Sequence, residues 1–136
     1  MQVTNQTVRE ALQAVQILGG SKLPVKVSLQ VAKLKKELKD LAEPVEETRQ
    51  TLVRQHAELD KNDKPKQKEN GEAIIKDRPA FDADFKTLMD DKVEVGSAKI
   101  TLPATVASTC DKCNHNMDKP LEIEPNIVEA LMEFLE

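Results

Sequence analysis

One side of this chain repeats apolar residues in strict alternation of three and four: Val31, Leu34, Leu38, Leu41, Val45, Thr48, Leu52, Gln55, Leu59. That spacing turns one face of a long helix toward a partner, as in a coiled-coil seam or a helical hairpin. The spacing predicts a helix over roughly Ser28 to Asp60, about 50 Å long at the standard rise. Val31, Leu34, Leu38, Leu41, Val45, Leu52 and Leu59 are its expected interaction seam.

The nearest partner for that seam precedes it. Val8, Leu12, Val15 and Leu18 recur at helical spacing from about Asn5, with Gly19-Gly20 as the stop. Thr7 with Glu10 fits a capping box, and Thr4 or Asn5 fits a cap one turn earlier. Pro24 makes Lys22 to Val27 an extended connector, and Ser28 is a natural N-cap beyond it. The two helices should fold back on each other as an antiparallel hairpin. Pro44 removes an N–H inside the long helix. Lysines before it and Glu46-Glu47 after it suit two separate helices, yet the heptad phase runs through Pro44 without a slip. One helix kinked at residues 40 to 44 is the expectation.

The remaining chain reads as smaller elements. Asp60 to Gly71 is polar and unpatterned, an exposed charged loop with some mobility, and no internal repeat is evident. Ala73 to Lys76 suits a short strand. Pro79 to Met89 places Phe81, Phe85, Leu88 and Met89 on one helical face, with Asp77 as cap. Val93-Glu94-Val95 and Lys99 to Leu102 alternate about Gly96-Ser97, the pattern of a small β-hairpin. A last helix should start at Pro125 and bury Ile127, Leu131, Phe134 and Leu135. The expected fold is α+β and mainly α. It is one domain over 1–136, made of a hairpin to residue 60, a loop over 61–72 and a small α/β region over 73–136.

Composition narrows the function classes. The 20 Lys and Arg against 24 Asp and Glu give a formal net charge of −4, and there is no Trp or Tyr. Nucleic-acid binding needs a cationic footprint and, for single strands, aromatic platforms, so it is not expected. The opening residues Met1 to Gln6 show no basic region followed by an apolar run, so neither a signal peptide nor a membrane span is expected. The cytoplasm is the expected place of synthesis, and of residence until a partner is met.

Few residues invite chemistry. Cys110, Cys113 and His115 have the spacing of zinc ligands, but a closed site needs a fourth, for which Asp111, Asp118, His56 or a second chain would have to serve. No second close pair completes a zinc module, and Cys110-Asp-Lys-Cys113 lacks the helix that a redox motif opens. The expectation is two reduced cysteines and no bound metal or cofactor. Asp60 to Asp63 starts like a calcium loop, but Pro65 falls where its glycine belongs and Gly71 where its glutamate belongs. Lys61, Lys64, Lys66 and Lys68 could meet phosphate, although Asp60, Asp63 and Glu69 offset them. His56 has no acid or nucleophile at a telling spacing, and no catalytic motif is present. An enzyme is not expected.

The run Lys22-Leu-Pro-Val-Lys-Val-Ser into the long helix, and Glu43-Pro-Val-Glu-Glu-Thr-Arg to His56, resembles a family of small bacteriophage proteins of unknown function. In that family a Leu-Pro-x-Lys connector leads into a long helix with Glu-Glu-x-Arg, a polar loop, a short helix, a Val-Glu-Val-like strand and an acidic, apolar final helix. Glu46 to Arg49, Phe85 to Met89, Val93 to Val95 and Ile127 to Leu135 follow in the same order, while Cys110 to Met117 departs from it. The resemblance implies a phage structural or assembly protein that binds other protein subunits, with self-association open. A phage early protein that binds and inhibits a host or defence protein is the alternative.

Overall fold

The computed structural model describes residues 1–109 and 116–136. Strand β1 (Gln2–Thr4) leads directly into helix α1 (Asn5–Leu18), and the long helix α2 (Val25–His56) follows. Helix α3 (Arg78–Asp90) and strand β2 (Lys92–Glu94) come next, then strands β3 (Thr105–Thr109) and β4 (Asn116–Pro120). Helix α4 (Pro125–Leu131) runs into a 3-10 turn at Met132–Phe134. The architecture is α+β and mainly α, as the periodicity predicts.

Caps set the helix starts. Thr4 is the N-cap of α1, its side chain accepting the Thr7 N–H at 3.1 Å. The choice between Thr4 and Asn5 falls to Thr4 because β1 holds it extended. α2 begins three residues before the expected Ser28, with Pro24 as its N-cap. Ser28 lies in the first turn, where its hydroxyl donates to the Leu23 carbonyl at 3.2 Å. α2 continues unbroken through Pro44 to His56, so the two-helix alternative does not hold. Asp77 caps α3, accepting the Ala80 N–H at 3.2 Å, and Pro125 opens α4.

The core is aliphatic and lies between α1, α2 and α4. Val8, Ala11, Val15 and Leu18 of α1 meet Val31, Leu34 and Leu38 of α2, with Ile127, Leu131 and Phe134 closing from the C-terminal side. Burying these side chains supplies the main driving force, about 1.5–3 kcal/mol for each large one. The upper half of the heptad stripe is therefore filled within the chain.

The lower half departs from the expected seam. Val45 is buried, but Thr48 and Gln55 are exposed, while Arg49, Leu52, Val53 and His56 are partly buried. An α-helix has 3.6 residues per turn, so a strict seven-residue pattern drifts about 20° per heptad unless the helix supercoils. After two heptads the covered face has moved on by one residue. Leu59 lies beyond the helix end and is 40% exposed.

Two strand expectations also change. Val93 and its neighbours pair not with Lys99 to Leu102 but with β1, antiparallel, in the register Val3↔Val93. Ile100 instead forms a parallel bridge to Leu135. Val95 and Ile100 of the two alternating runs are both buried, but alternation carries no information about which strand is adjacent. The second sheet is the antiparallel pair β3–β4, running from Thr105↔Pro120 to Thr109↔Asn116.

Asp60 to Gly71, expected as an unpatterned loop, and the flanking residues, expected as the end of the long helix and a short strand over Ala73 to Lys76, together form a closed arrangement of three extended segments over 57–76. The Glu58 N–H donates to the Ile74 carbonyl at 2.8 Å, Ile74 N–H to Lys66 at 2.8 Å, and Lys66 N–H back to Glu58 at 2.7 Å. An outer set repeats the pattern: Asp60 to Lys64, Lys68 to Glu72, and Lys76 to His56. Donors and acceptors advance by eight residues each time, an internal repeat of backbone bonding. Asp63 and Gly71, also eight apart, both have positive φ, 60° and 85°, at the two turns. Where a third turn would fall, Asp77 starts α3. Side-chain identity follows the repeat at Asn62 and Asn70 and little else, so composition conceals it.

Candidate functional site

The lower end of α2, the three-segment arm and α3 enclose an open groove of about 1100 Å³. Its α2 wall presents Arg49, Val53 and Arg54, its arm wall Lys64, Pro65 and Lys66, and α3 adds Arg78 and Phe81. Asp60, Asp63 and Glu72 also border it, leaving five cations against three carboxylates. The lining is thus net cationic on a chain of net charge −4, with two of its cations, Arg49 and Arg78, each paired to an acid outside the lining, Glu46 and Asp82.

Several of these charges are already positioned. Arg49 grips Glu46 with two nitrogens, at 3.0 Å from Nε and 2.6 Å from Nη2. The pair holds the Glu46 carboxyl below the ordinary carboxylate value, the Arg49 bond outweighing the opposing effect of burial. The same bond raises the Arg49 pKa above its usual value. Arg78 bonds Asp82 at 3.1 Å and lies 5.7 Å from the centre of the Phe81 ring, a cation–π distance. The Asp60 carboxylate accepts the N–H groups of Asn62 and Lys64 at 2.8 and 3.0 Å, which orients the arm's first turn. Arg54, Lys64 and Lys66 make no ion pair among the described residues.

His56 acquires a partner that local spacing does not reveal. Its Nε2 lies 2.8 Å from Asp84 Oδ2, and its ring meets Phe81 edge-on at 6.0 Å. Phe81 in turn stacks with Phe85 at 5.9 Å. Phe81 thereby links α3 to the end of α2 and lines the groove, with Phe85 stacked behind it. Asp84 is 28 residues from His56, a separation that no sequence motif spans.

The other residues considered from the sequence fall elsewhere. Val31, Leu34 and Leu38 are in the core, Leu41 is half-buried beside it, and Val45 is buried farther down α2. Asp118 is an exposed residue of β4. Cys110, Asp111, Cys113 and His115 lie outside the described residues. Among the described residues no group of three or more His, Cys, Asp or Glu is placed to hold a metal ion. Among the described residues no helix is long and apolar enough to cross a membrane.

An open groove with three arginines and an aromatic rim suits recognition of a carboxylate-bearing surface, since guanidinium forks bond carboxylates with two parallel contacts. Arginine and aromatic residues are also the types that dominate protein interfaces. No family model, curated protein or solved structure matches the chain.

Proposed function

We propose that this chain is a bacteriophage structural or assembly protein that acts by binding other protein subunits rather than by catalysis. The phage context rests on the resemblance of its connector and long helix. The binding mode rests on one observation, the cationic groove of Arg49, Arg54, Lys66, Arg78 and Phe81 at the lower end of α2. An acidic segment of a partner subunit is the complement such a groove selects. Electrostatic matching of this kind sets specificity and association rate more than raw affinity.

Quantitative mass spectrometry of purified virions and of infected-cell lysates through the infection cycle tests the reading. The expected result is stoichiometric presence in particles or in an isolable assembly complex. Arg54→Glu with Lys66→Glu should lower that incorporation without lowering the melting temperature, because Arg54 and Lys66 are exposed. Early expression with no association with particles or their precursors would overturn the structural reading in favour of the host-inhibitor alternative.

A further inference from the structure

Opposite charges are segregated along this chain into two surfaces away from the groove above. Residues 22–39 contain six lysines and one acid, Glu37, and that acid is bonded to Gly96 and Ser97. Residues 122–136 contain five glutamates and no base. None of the six lysines forms an ion pair among the described residues.

The basic segment forms a ridge. At about 100° per residue, Val25, Leu29, Lys33 and Lys36 fall within one quarter of the α2 circumference, opposite the buried Val27, Val31, Leu34 and Leu38. Val25 is 87% exposed and Leu29 54%, large apolar side chains left in water. The acidic segment borders a groove of about 390 Å³ between α1 and α4. Ala14, Ile17, Ile127 and Ala130 give it an apolar lining, with Ile17 60% exposed, and Glu10 and Glu129 stand on its edges. No cation lines it. Glu10 accepts a bond from Gln6 at 2.6 Å, which leaves its charge uncompensated.

We propose that the α2 ridge of one copy seats in the α1–α4 groove of a second copy. Val25 and Leu29 enter the apolar lining, and Lys33 and Lys36 meet Glu10 and Glu129. The arrangement has the anatomy of a protein interface, an apolar centre inside a charged rim. The ridge and groove are different surfaces, so the contact either is reciprocated about a two-fold axis or propagates head to tail. This self-association is independent of the virion reading and can fail or succeed without it.

The test is a charge swap read by light scattering coupled to size exclusion, on the full chain at low and high salt. The expected result is concentration-dependent self-association that weakens as salt screens the lysine–glutamate contacts. Lys33→Glu with Lys36→Glu should abolish it, and so should Glu10→Lys with Glu129→Lys. All four changes in one chain should restore it. Val25→Ser with Leu29→Ser should also abolish it, with the far-ultraviolet circular dichroism unchanged. A chain that stays monomeric at about 0.1 mM overturns the proposal, as does association indifferent to the swaps. Binding to anionic vesicles through Val25 and Leu29 by a chain that remains monomeric would also overturn it and assign the ridge to a lipid surface.

Discussion

The carboxylate of Glu37, midway along α2, receives the backbone N–H groups of Gly96 at 2.6 Å and Ser97 at 2.9 Å, and the Ser97 hydroxyl as well. One side chain thereby ties the long helix to the turn that follows β2. Burial alone would raise the Glu37 pKa, but the three donors outweigh it and hold the carboxyl below its ordinary value of 4.5.

A depressed folded-state pKa means that the ionised form stabilises the fold. The contribution is complete above the unfolded value and is lost as pH falls through the folded one. Glu37→Gln should cost about 1 kcal/mol at neutral pH, allowing for partial exposure. Melting curves of the variant and the parent should converge as pH drops below 4.5. A gap between them that is constant with pH would show that the carboxylate charge plays no part.

Substitutions along α2 should separate the drifting helical face from the strict heptad. Leu38 is fully buried, and Leu38→Ala should cost about 2–5 kcal/mol by the cavity it leaves. Leu38→Asp should prevent folding, because it buries an unpaired charge. Thr48 and Gln55, equally on the heptad stripe, are exposed, and alanine at either should stay within about 0.5 kcal/mol. Urea denaturation that ranks Gln55 with Leu38 would contradict this packing.

The cyclic bonding of the arm predicts a shared protection against hydrogen exchange. The amides of Glu58, Lys66 and Ile74 belong to one ring of bonds and should exchange together, more slowly than Lys61 or Glu69. Gly71→Val forces a β-branched residue to a φ of 85° and should speed all three. Independent exchange of the three amides would mean that the ring does not open as a unit.

Asn5 offers a test of the junction between α1 and α3. It is 3% exposed, its amide donates to the Leu88 carbonyl at 2.8 Å, and its backbone N–H donates to Asp91 at 2.9 Å. Its Oδ1 is buried without a partner. Asn5→Asp sets a second acceptor against Leu88 and should cost about 3 kcal/mol, more than Asn5→Ala at about 1–2 kcal/mol. If the aspartate variant proved as stable as the parent at neutral pH, the Asn5–Leu88 bond would not exist in solution.

Local chemistry was sufficient for the parts of this protein whose cause is local. Periodicity located α1, α2, α3 and α4, and Asp77, Gly19 and Pro125 marked ends of three of them, because an amphipathic face and a cap act within a few residues. Periodicity also identified Val31, Leu34 and Leu38 as inward. The short connector set α1 against them; the tertiary structure alone added Ile127, Leu131 and Phe134 to that core, and it continued the stripe along the path of a 3.6-residue helix rather than a heptad. It decided that Val93 lies against Val3, that Ile100 bridges Leu135, and that His56 meets Asp84, since pairing between distant segments depends on the geometry of everything between them. The eight-residue ring in the arm and the groove that it borders were hidden for a related reason. Backbone hydrogen bonds hold that ring, and every residue except proline carries the same donor and acceptor whatever its side chain.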